Sequence, residues 1–435
     1  MKPTLMVSII LCSGFHLCSS ITLQQAIQQG IKNNFQCQNQ VLQEKIQLIR
    51  QQSARLNRLF TITAGGSYLY RSQEMEIILP DVQAAPGMVI PGKRIQAGTK
   101  HNFDLKISLY QPLYTGNILS NLTRLEAINM KQEKNQTLLT KIETAAAIKI
   151  SYYNYRSYLN KELAYQSMVK QLKLHRQKLA NLFKEELITE SSVLETEAKI
   201  QEWKLKLADL HLLKQQEKIS FRKLCDLDIE TISHHAQEHI TDMMKSFAFF
   251  KQNHPMVSSL TQKMAALEYQ KKIKRGETRP QVGGFSELHY GKPGIDFFKD
   301  QWSLYFQAGI TIDLKLFQWN RSKRDITILD HQMAQLANQK KDVIKRGKTN
   351  LDQLFERLAT LDEKMKMMQD LSAITRRDIQ LKEQLLMEQQ LSNLDYLAAL
   401  TRNEQLVSQL NDLKVQQELV KVLINKTIGR YSEVQ

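Results

Sequence analysis

The chain has 435 residues, 60 Lys and Arg against 44 Asp and Glu, a formal net charge of +16, a pI near 9.4 and a mean hydropathy of −0.40. That hydropathy excludes a polytopic helical membrane protein, and 42% hydrophobic residues exclude a disordered chain. The positive balance suits nucleic acid or anionic lipid, but Lys and Glu are interspersed along helical stretches and form no basic tract, so it reads as solvated helix faces.

Residues 1–20 read as a secretory signal. Lys2 supplies the positive start, Leu5 to Leu17 is mostly apolar, and Cys18, Ser19 and Ser20 are small enough for cleavage before Ile21. His16 and Leu17 argue against a lipoprotein signal, and the apolar run is too short for a spanning helix. The mature chain is therefore expected to be exported without a helical anchor, which argues against a nucleic-acid partner. Cys37 and Cys225 remain after cleavage, as buried free thiols or as a disulfide.

Helix is expected from Ile21 to about Asn57, with Leu42, Ile46 and Ile49 on its apolar face. A strand over about 60–72 precedes a loop at 73–98 that holds Pro80, Pro86 and Pro91. A second strand, about 102–112, places Phe103, Leu105, Ile107 and Leu109 on one face and Asp104, Lys106, Ser108 and Tyr110 on the other, with Pro112 closing it. Neither Gly nor Pro occurs between Asn117 and His254, which points to a long helical hairpin over about 117–228. Its polar break lies near 186–192, where Ser192 and Glu195 have capping-box spacing. The returning helix carries a heptad seam at Leu194, Ala198, Leu205, Ala208, Leu212 and Ile219.

Near Phe247 the pattern restarts, with helix to about Arg279 and strands at about 280–290 and 301–313. In the last strand Trp302, Leu304, Phe306, Ala308, Ile310 and Ile312 alternate with Ser303, Tyr305, Gln307, Gly309 and Thr311. The first set makes an apolar face long enough to cross a bilayer as a tilted, lipid-facing strand. A helical hairpin over about 320–428 follows. It breaks near 389–395 with Ser392 and Asp395 in capping positions, has a seam at Leu406, Leu410, Leu413, Val420 and Ile424, and stops at Gly429.

A shift of 203 takes Leu113, Tyr114 and Asn117 onto Leu316, Phe317 and Asn320, Leu194 onto Leu397, and Asp209-Leu210 onto Asp412-Leu413. The chain is thus two repeats, 21–245 and 246–430, with a tail at 431–435. Each is helix, β-hairpin, long helix, turn, long helix. The fold class is mainly α with a membrane β-barrel part. Four strands cannot close a barrel, because small membrane barrels need about eight and an open edge in lipid leaves amides and carbonyls unpaired. Other copies must complete it, and the attached helices then enclose a bore.

YQPLYTGN (110–117) and IDLKLFQWN (312–320) resemble the strand-to-helix junctions of the TolC-type outer-membrane efflux protein family. EELITESSVLETEAK (185–199) and EQQLSNLDYLAALTR (388–402) resemble its helix turns, and FKQNHP (250–255) and IGR (428–430) also fit, so the likeness covers about 21–430. The resemblance implies a homotrimer in the outer membrane of a Gram-negative bacterium, with a shared β-barrel and a periplasmic α-helical coiled-coil barrel. It implies a periplasmic adaptor and an inner-membrane transporter as partners, and a passive exit duct for small molecules that needs no cofactor and catalyses nothing. The turns that meet the adaptor would be Glu186, Leu187 and Thr189, and Gln389, Gln390 and Ser392. The family's turns usually read Gly-Leu and then a small polar residue; Gly is absent from both here and Leu from the second. The family's periplasmic gate can carry two acidic residues near the second turn; Asp395 matches the first, while Ala398 stands at the other. The plainer reading of Asp395 is a helix cap.

The sequence holds no Walker loop, no GxGxxG after a strand and no GxSxG. His235 and His239 are four apart but lack an obvious third ligand and read as surface histidines, while Tyr152, Tyr153, Tyr155 and Tyr158 read as helix packing. The competing readings are a type I protein-secretion duct of the same fold and an exported coiled-coil scaffold or adhesin.

Overall fold

The computed structural model describes residues 21–233, 239–296 and 298–430; the expected signal, the tail and His235 lie outside the described residues. β1 (Ile21–Thr22) runs into α1 (Leu23–Asn33) through a capping box, in which the Thr22 hydroxyl accepts from the Gln25 amide and the Gln25 side chain accepts from the Thr22 amide at 2.8 Å. α2 (Phe35–Leu56) starts afresh because Asn34 Oδ1 accepts from the amides of Gln36 (2.8 Å) and Cys37 (3.2 Å). Two helices therefore stand where periodicity alone suggests one.

β2 (Thr61–Tyr70) leads into the proline-rich segment, which is no loop. β3 (Met75–Ile78) pairs with β6 (Arg94–Ala97), and β4 (Val82–Ala85) pairs with β5 (Met88–Ile90). The prolines sit outside these strands, and Pro86 with Gly87 (φ +89°) makes the tight link between β4 and β5. β7 (His101–Thr115) runs through Pro112 instead of stopping there. The register against β9 shifts between Pro112 and Tyr114, so the missing amide falls at a bulge, where sheets tolerate proline.

Then come α3 (Ile118–Lys184), α4 (Glu190–Cys225), β8 (Ile232–Ser233, parallel to β1), α5 (Met243–Asn253), α6 (Pro255–Gly276), β9 (Gln281–Lys292), β10 (Ser303–Asp313), α7 (Arg321–Met387) and α8 (Asn393–Ile428). α3 and α7 both have 67 residues and α4 and α8 both have 36, and a shift of 203 carries each first helix onto its counterpart end for end. Backbone conformation follows the same shift. Asn117 and Asn320, Glu186 and Gln389, and Asp226 and Gly429 all have positive φ. At 1.5 Å per residue, α3 and α7 are each about 100 Å long. No helix among the described residues is long and apolar enough to cross a membrane.

The chain divides into two compact units. The first comprises the chain up to Val41, Gln136–Val257 and the chain from Val343 on. It holds three apolar clusters. One gathers Leu23, Ile27, Ile148, Phe221, Cys225 and Val422, with Tyr152, Tyr153 and Tyr155 beside them. Another joins Phe250, Leu351, Val420, Ile424 and Ile428, and the third joins Met168, Leu172, Ile200, Trp203, Tyr396 and Leu400. Close packing fixes one glycine here: a methyl at Gly347 would lie 2.3 Å from the Phe250 ring. Cys37 and Cys225 are free and buried, and burial pushes the Cys225 thiol up to about 11.

The seam read on α4 does not face the core of its own chain. Leu194, Leu205, Leu212 and Ile219 are all more than half exposed, while Thr196, Ile200, Trp203, Leu210 and Phe221 are buried. α4 carries two apolar stripes, and the one with the bulkier aromatics is taken inside. On α8 the seam is internal, with Leu406, Val420 and Ile424 buried. The second unit, Leu42–Asn135 and Ser258–Asp342, contains the four long strands.

His254 ends α5, and its Nδ1 accepts from the Met256 amide at 3.2 Å. Burial holds the imidazole down to about 4, from an ordinary 6.5. The folded chain therefore keeps this group neutral where the unfolded chain protonates it, so its contribution to stability is present above pH 6.5 and is lost as pH falls towards 4. The melting temperature is expected to drop over that interval, and His254→Asn, which keeps an acceptor near the Nδ1 position but does not titrate, should flatten the drop. An unchanged slope in the variant refutes the assignment.

Candidate functional site: the sheet and the helix turns

The four long strands form one antiparallel sheet in the order β10, β9, β7, β2, which leaves β10 and β2 as edges without a further partner among the described residues. Register sorts the side chains cleanly. Leu304 lies opposite Tyr290, Phe306 opposite Leu288 and Ala308 opposite Ser286; Leu105 and Ile107 continue the row across β7, and Ala64 and Ile62 across β2. This face is apolar and bare. Leu304, Phe306, Ile310 and Ile312 are 66, 65, 67 and 69% exposed, Trp302 is 44% exposed and Ala308 is exposed as well. Trp302 packs on Tyr290 at 4.9 Å and on Phe103 at 5.8 Å between ring centroids, a cluster of aromatics at the hairpin end.

The opposite face is a connected polar surface. Glu287 accepts from Ser108 Oγ (2.9 Å) and Gln307 Nε2 (2.6 Å), and Lys106 Nζ stands 3.7 Å away. His289 Nδ1 lies 3.0 Å from Asp104, its Nε2 lies 3.3 Å from Glu287, and its ring stacks on Tyr305 at 4.7 Å. Strand alternation makes one side fit for hydrocarbon and the other for water.

At the other candidate surface, in the first unit, α3 and α7 end in matching Schellman turns. Glu186 N donates to Phe183 O and Leu187 N to Leu182 O, both at 3.0 Å; Gln389 N donates to Leu386 O (3.1 Å) and Gln390 N to Leu385 O (2.8 Å). Glu186 and Gln389 occupy the left-handed position at φ 57° and 60°, where glycine is at ease. Glu186, Leu187, Thr189, Gln389, Gln390 and Ser392 are all exposed. Thr189, not Ser192, starts α4, and its side chain makes no cap bond. Ser392 starts α8: its hydroxyl accepts from the Asp395 amide (3.1 Å) and donates to Asp395 Oδ2 (2.6 Å). Asp395 is thus a first-turn cap partner, exposed at the start of α8.

No family model matches the sequence, and no curated protein matches it. Solved structures match it over nearly its whole length. One is CusC, studied for conformational changes accompanying folding and transmembrane channel formation, with a TM-score of 0.76, 11% identity, and 94% of this chain and 92% of that chain covered. The CmeC outer membrane channel of Campylobacter jejuni matches at 0.72 with 13% identity, over 94% of this chain and 85% of that one. The outer membrane protein VceC of Vibrio cholerae matches at 0.73 with 12% identity, over 94% and 96%. The fold is that of the TolC-type outer-membrane channels.

Within this TolC-type fold the two turns are tied by a residue that local sequence does not mark. Asn393 Nδ2 donates to Ser192 O (3.0 Å), Glu195 Oε2 (3.1 Å) and Thr196 Oγ1 (3.3 Å), and its Oδ1 meets His175 Nε2 at 2.9 Å. Its partners are about two hundred residues away in sequence, so no window reveals them. His175 is buried, its ring lies 4.8 Å from that of Tyr396, and burial lowers its pKa, with the Asn393 bond working the other way. An apolar cavity of about 290 Å³ beside this tie is lined by Leu182, Leu187, Leu386, Leu391 and Leu394. Among the described residues no group of three His, Cys, Asp or Glu is placed to hold a metal ion.

Two outcomes are expected. Glu186→Gly and Gln389→Gly should each stabilise the protein by about 1 kcal/mol by relieving the left-handed backbone, read as a higher midpoint in thermal unfolding. Asn393→Leu should cost about 1–3 kcal/mol, because it strands the buried His175 Nε2, and should increase proteolytic nicking at both turns. A variant as protease-resistant as the parent rules out the tie.

Proposed function

We propose that the chain is one subunit of a trimeric outer-membrane duct, the passive exit of a tripartite system that exports small molecules from a Gram-negative cell. The observation that carries this reading is the bare apolar face of the sheet, backed by a polar face and ending at two unpaired edges. In water such a face aggregates. In lipid it is at home, provided the edges find partners. Three copies contributing four strands each leave no edge. The exposed heptad stripe of α4, Leu194 to Ile219, supplies the matching contact between helices of neighbouring copies. The exposed turns at Glu186, Leu187 and Thr189 and at Gln389, Gln390 and Ser392 are the surfaces offered to a periplasmic adaptor, and an inner-membrane transporter supplies the energy. Three symmetry-related Asp395 carboxylates set a negative ring at the periplasmic entrance, which favours cations.

The mature protein is expected to need detergent for extraction and to conduct ions in planar bilayers. A water-soluble monomer ends the proposal. Leu205→Glu with Leu212→Glu should dissociate the trimer, as read by light scattering in detergent. Asp395→Ala should lower cation over anion selectivity severalfold without closing the pore, and unchanged selectivity retires the ring.

A further inference from the structure

Within the second unit, the start of α3 and the end of α6 flank an open cavity of about 340 Å³. Asn117, Ser120, Asn121 and Arg124 line it from α3 and the residue before it; Lys272 and Arg275 line it from α6, and Arg279 from the link to β9. The close crossing has a backbone cause: a methyl at Gly116 would lie 2.5 Å from Gly276 O, so the two chains pass in near contact.

The lining has four cations and no carboxylate. The acids nearby are engaged elsewhere, since Asp330 and Glu268 hold Lys271 while Glu277 and Asp325 hold Lys274. Arg124, Arg275 and Arg279 have no ion pair among the described residues, and Lys272 lies over the Tyr269 ring at 4.8 Å. The carbonyls closing α6 attract cations to its last turn, which accounts for Arg275 but not for Arg124 or Arg279. Nor does it account for Asn121. That side chain is only 8% exposed, lines the cavity, and makes no hydrogen bond to any described residue. The Asn121 amide faces the cavity without a protein hydrogen bond, and the four exposed cations repel one another with only solvent to screen them.

One ligand class relieves both. A phosphate oxygen accepts from guanidinium groups in pairs and from the open amides of a helix start, and it can accept from the Asn121 side-chain amide as well. The position indicates the source. β7 ends at Thr115 and β9 begins at Gln281, so the cavity opens within a few residues of both strand ends. The helix-side ends of the strands carry exposed Phe60, Tyr114, Phe317 and Trp319, side chains that settle at a membrane–water boundary. We propose that this cavity binds the phosphodiester headgroup of an anionic phospholipid in the leaflet on the helix side of the sheet. The assignment rests on the membrane reading given above. It differs from charge attraction spread over a surface, because it needs the Asn121 amide and specific guanidinium groups.

The test uses the full-length protein in nanodiscs of mixed phosphatidylglycerol and phosphatidylcholine, with retained lipid read by native mass spectrometry. The parent should retain phosphatidylglycerol over phosphatidylcholine by about tenfold, roughly the strength of one charge-assisted pair. Arg275→Ala with Arg279→Ala should lose that preference while keeping the parent's conductance. Where that pair fails to assemble, Asn121→Leu makes the same cut without removing charge. Inorganic phosphate added to the detergent-solubilised protein distinguishes the sources. A phosphate-dependent rise in melting temperature that the variants lack, without lipid preference, overturns the headgroup in favour of a soluble phosphate. Equal lipid retention by parent and variants overturns the site. A conducting protein with no lipid preference sinks this site alone, whereas a protein that never enters the bilayer sinks the duct as well.

Discussion

Backbone hydrogen bonding at the edges of one sheet governs this molecule. β10 and β2 each present a row of amides and carbonyls with no strand partner among the described residues, and the face they border is apolar and uncovered. Water would satisfy the edges but not the face, and lipid would satisfy the face but not the edges. Closure against further strands of the same kind resolves both at once. In the proposed duct, assembly and membrane insertion are therefore a single requirement.

Duplication supplies the parts economically. The same 67-residue and 36-residue rods occur twice, and their left-handed stops fall at equivalent positions whatever residue stands there. Glu186 and Gln389 both hold a conformation that suits glycine, so one backbone geometry stands at both turns under different side chains. The two halves then diverge in use. α8 buries both its stripes, Leu406, Val420 and Ile424 in one and Leu397, Val415 and Val422 in the other, whereas α4 leaves the equivalents of the second, Leu194, Leu212 and Ile219, exposed.

Polar groups are handled differently in different parts of the molecule. Near the turns a buried His–Asn pair is fully engaged, with each polar atom of Asn393 matched. On the polar face of the sheet, Glu287 and His289 share partners from three strands. At the start of α3 the pattern inverts: cations converge without an acid, beside an amide left without a hydrogen bond. Satisfied networks hold structure in place, and the unsatisfied one invites a ligand.

What depends on local periodicity is legible in the residues alone. Absence of Gly and Pro from 117 to 254 dictated long helices, strict alternation from Trp302 to Ile312 dictated a two-faced strand, and the 203-residue shift dictated that these come twice. These signals are local because helix and strand geometry repeats every 3.6 and two residues. Where a residue's role depends on what lies across from it, the sequence was mute or misleading. Prolines at 80, 86 and 91 suggest a loop, yet they sit in the links between the paired strands β3 to β6; Pro112 suggests a stop, yet a bulge absorbs it. Heptad spacing marked an apolar stripe on α4, but volume decided which stripe went inside, and Trp203 and Phe221 took that place. Asn393 and Asn121 look alike in sequence; tertiary contacts gave the first four partners and the second none, because hydrogen-bond satisfaction is a property of three-dimensional neighbours and not of the chain.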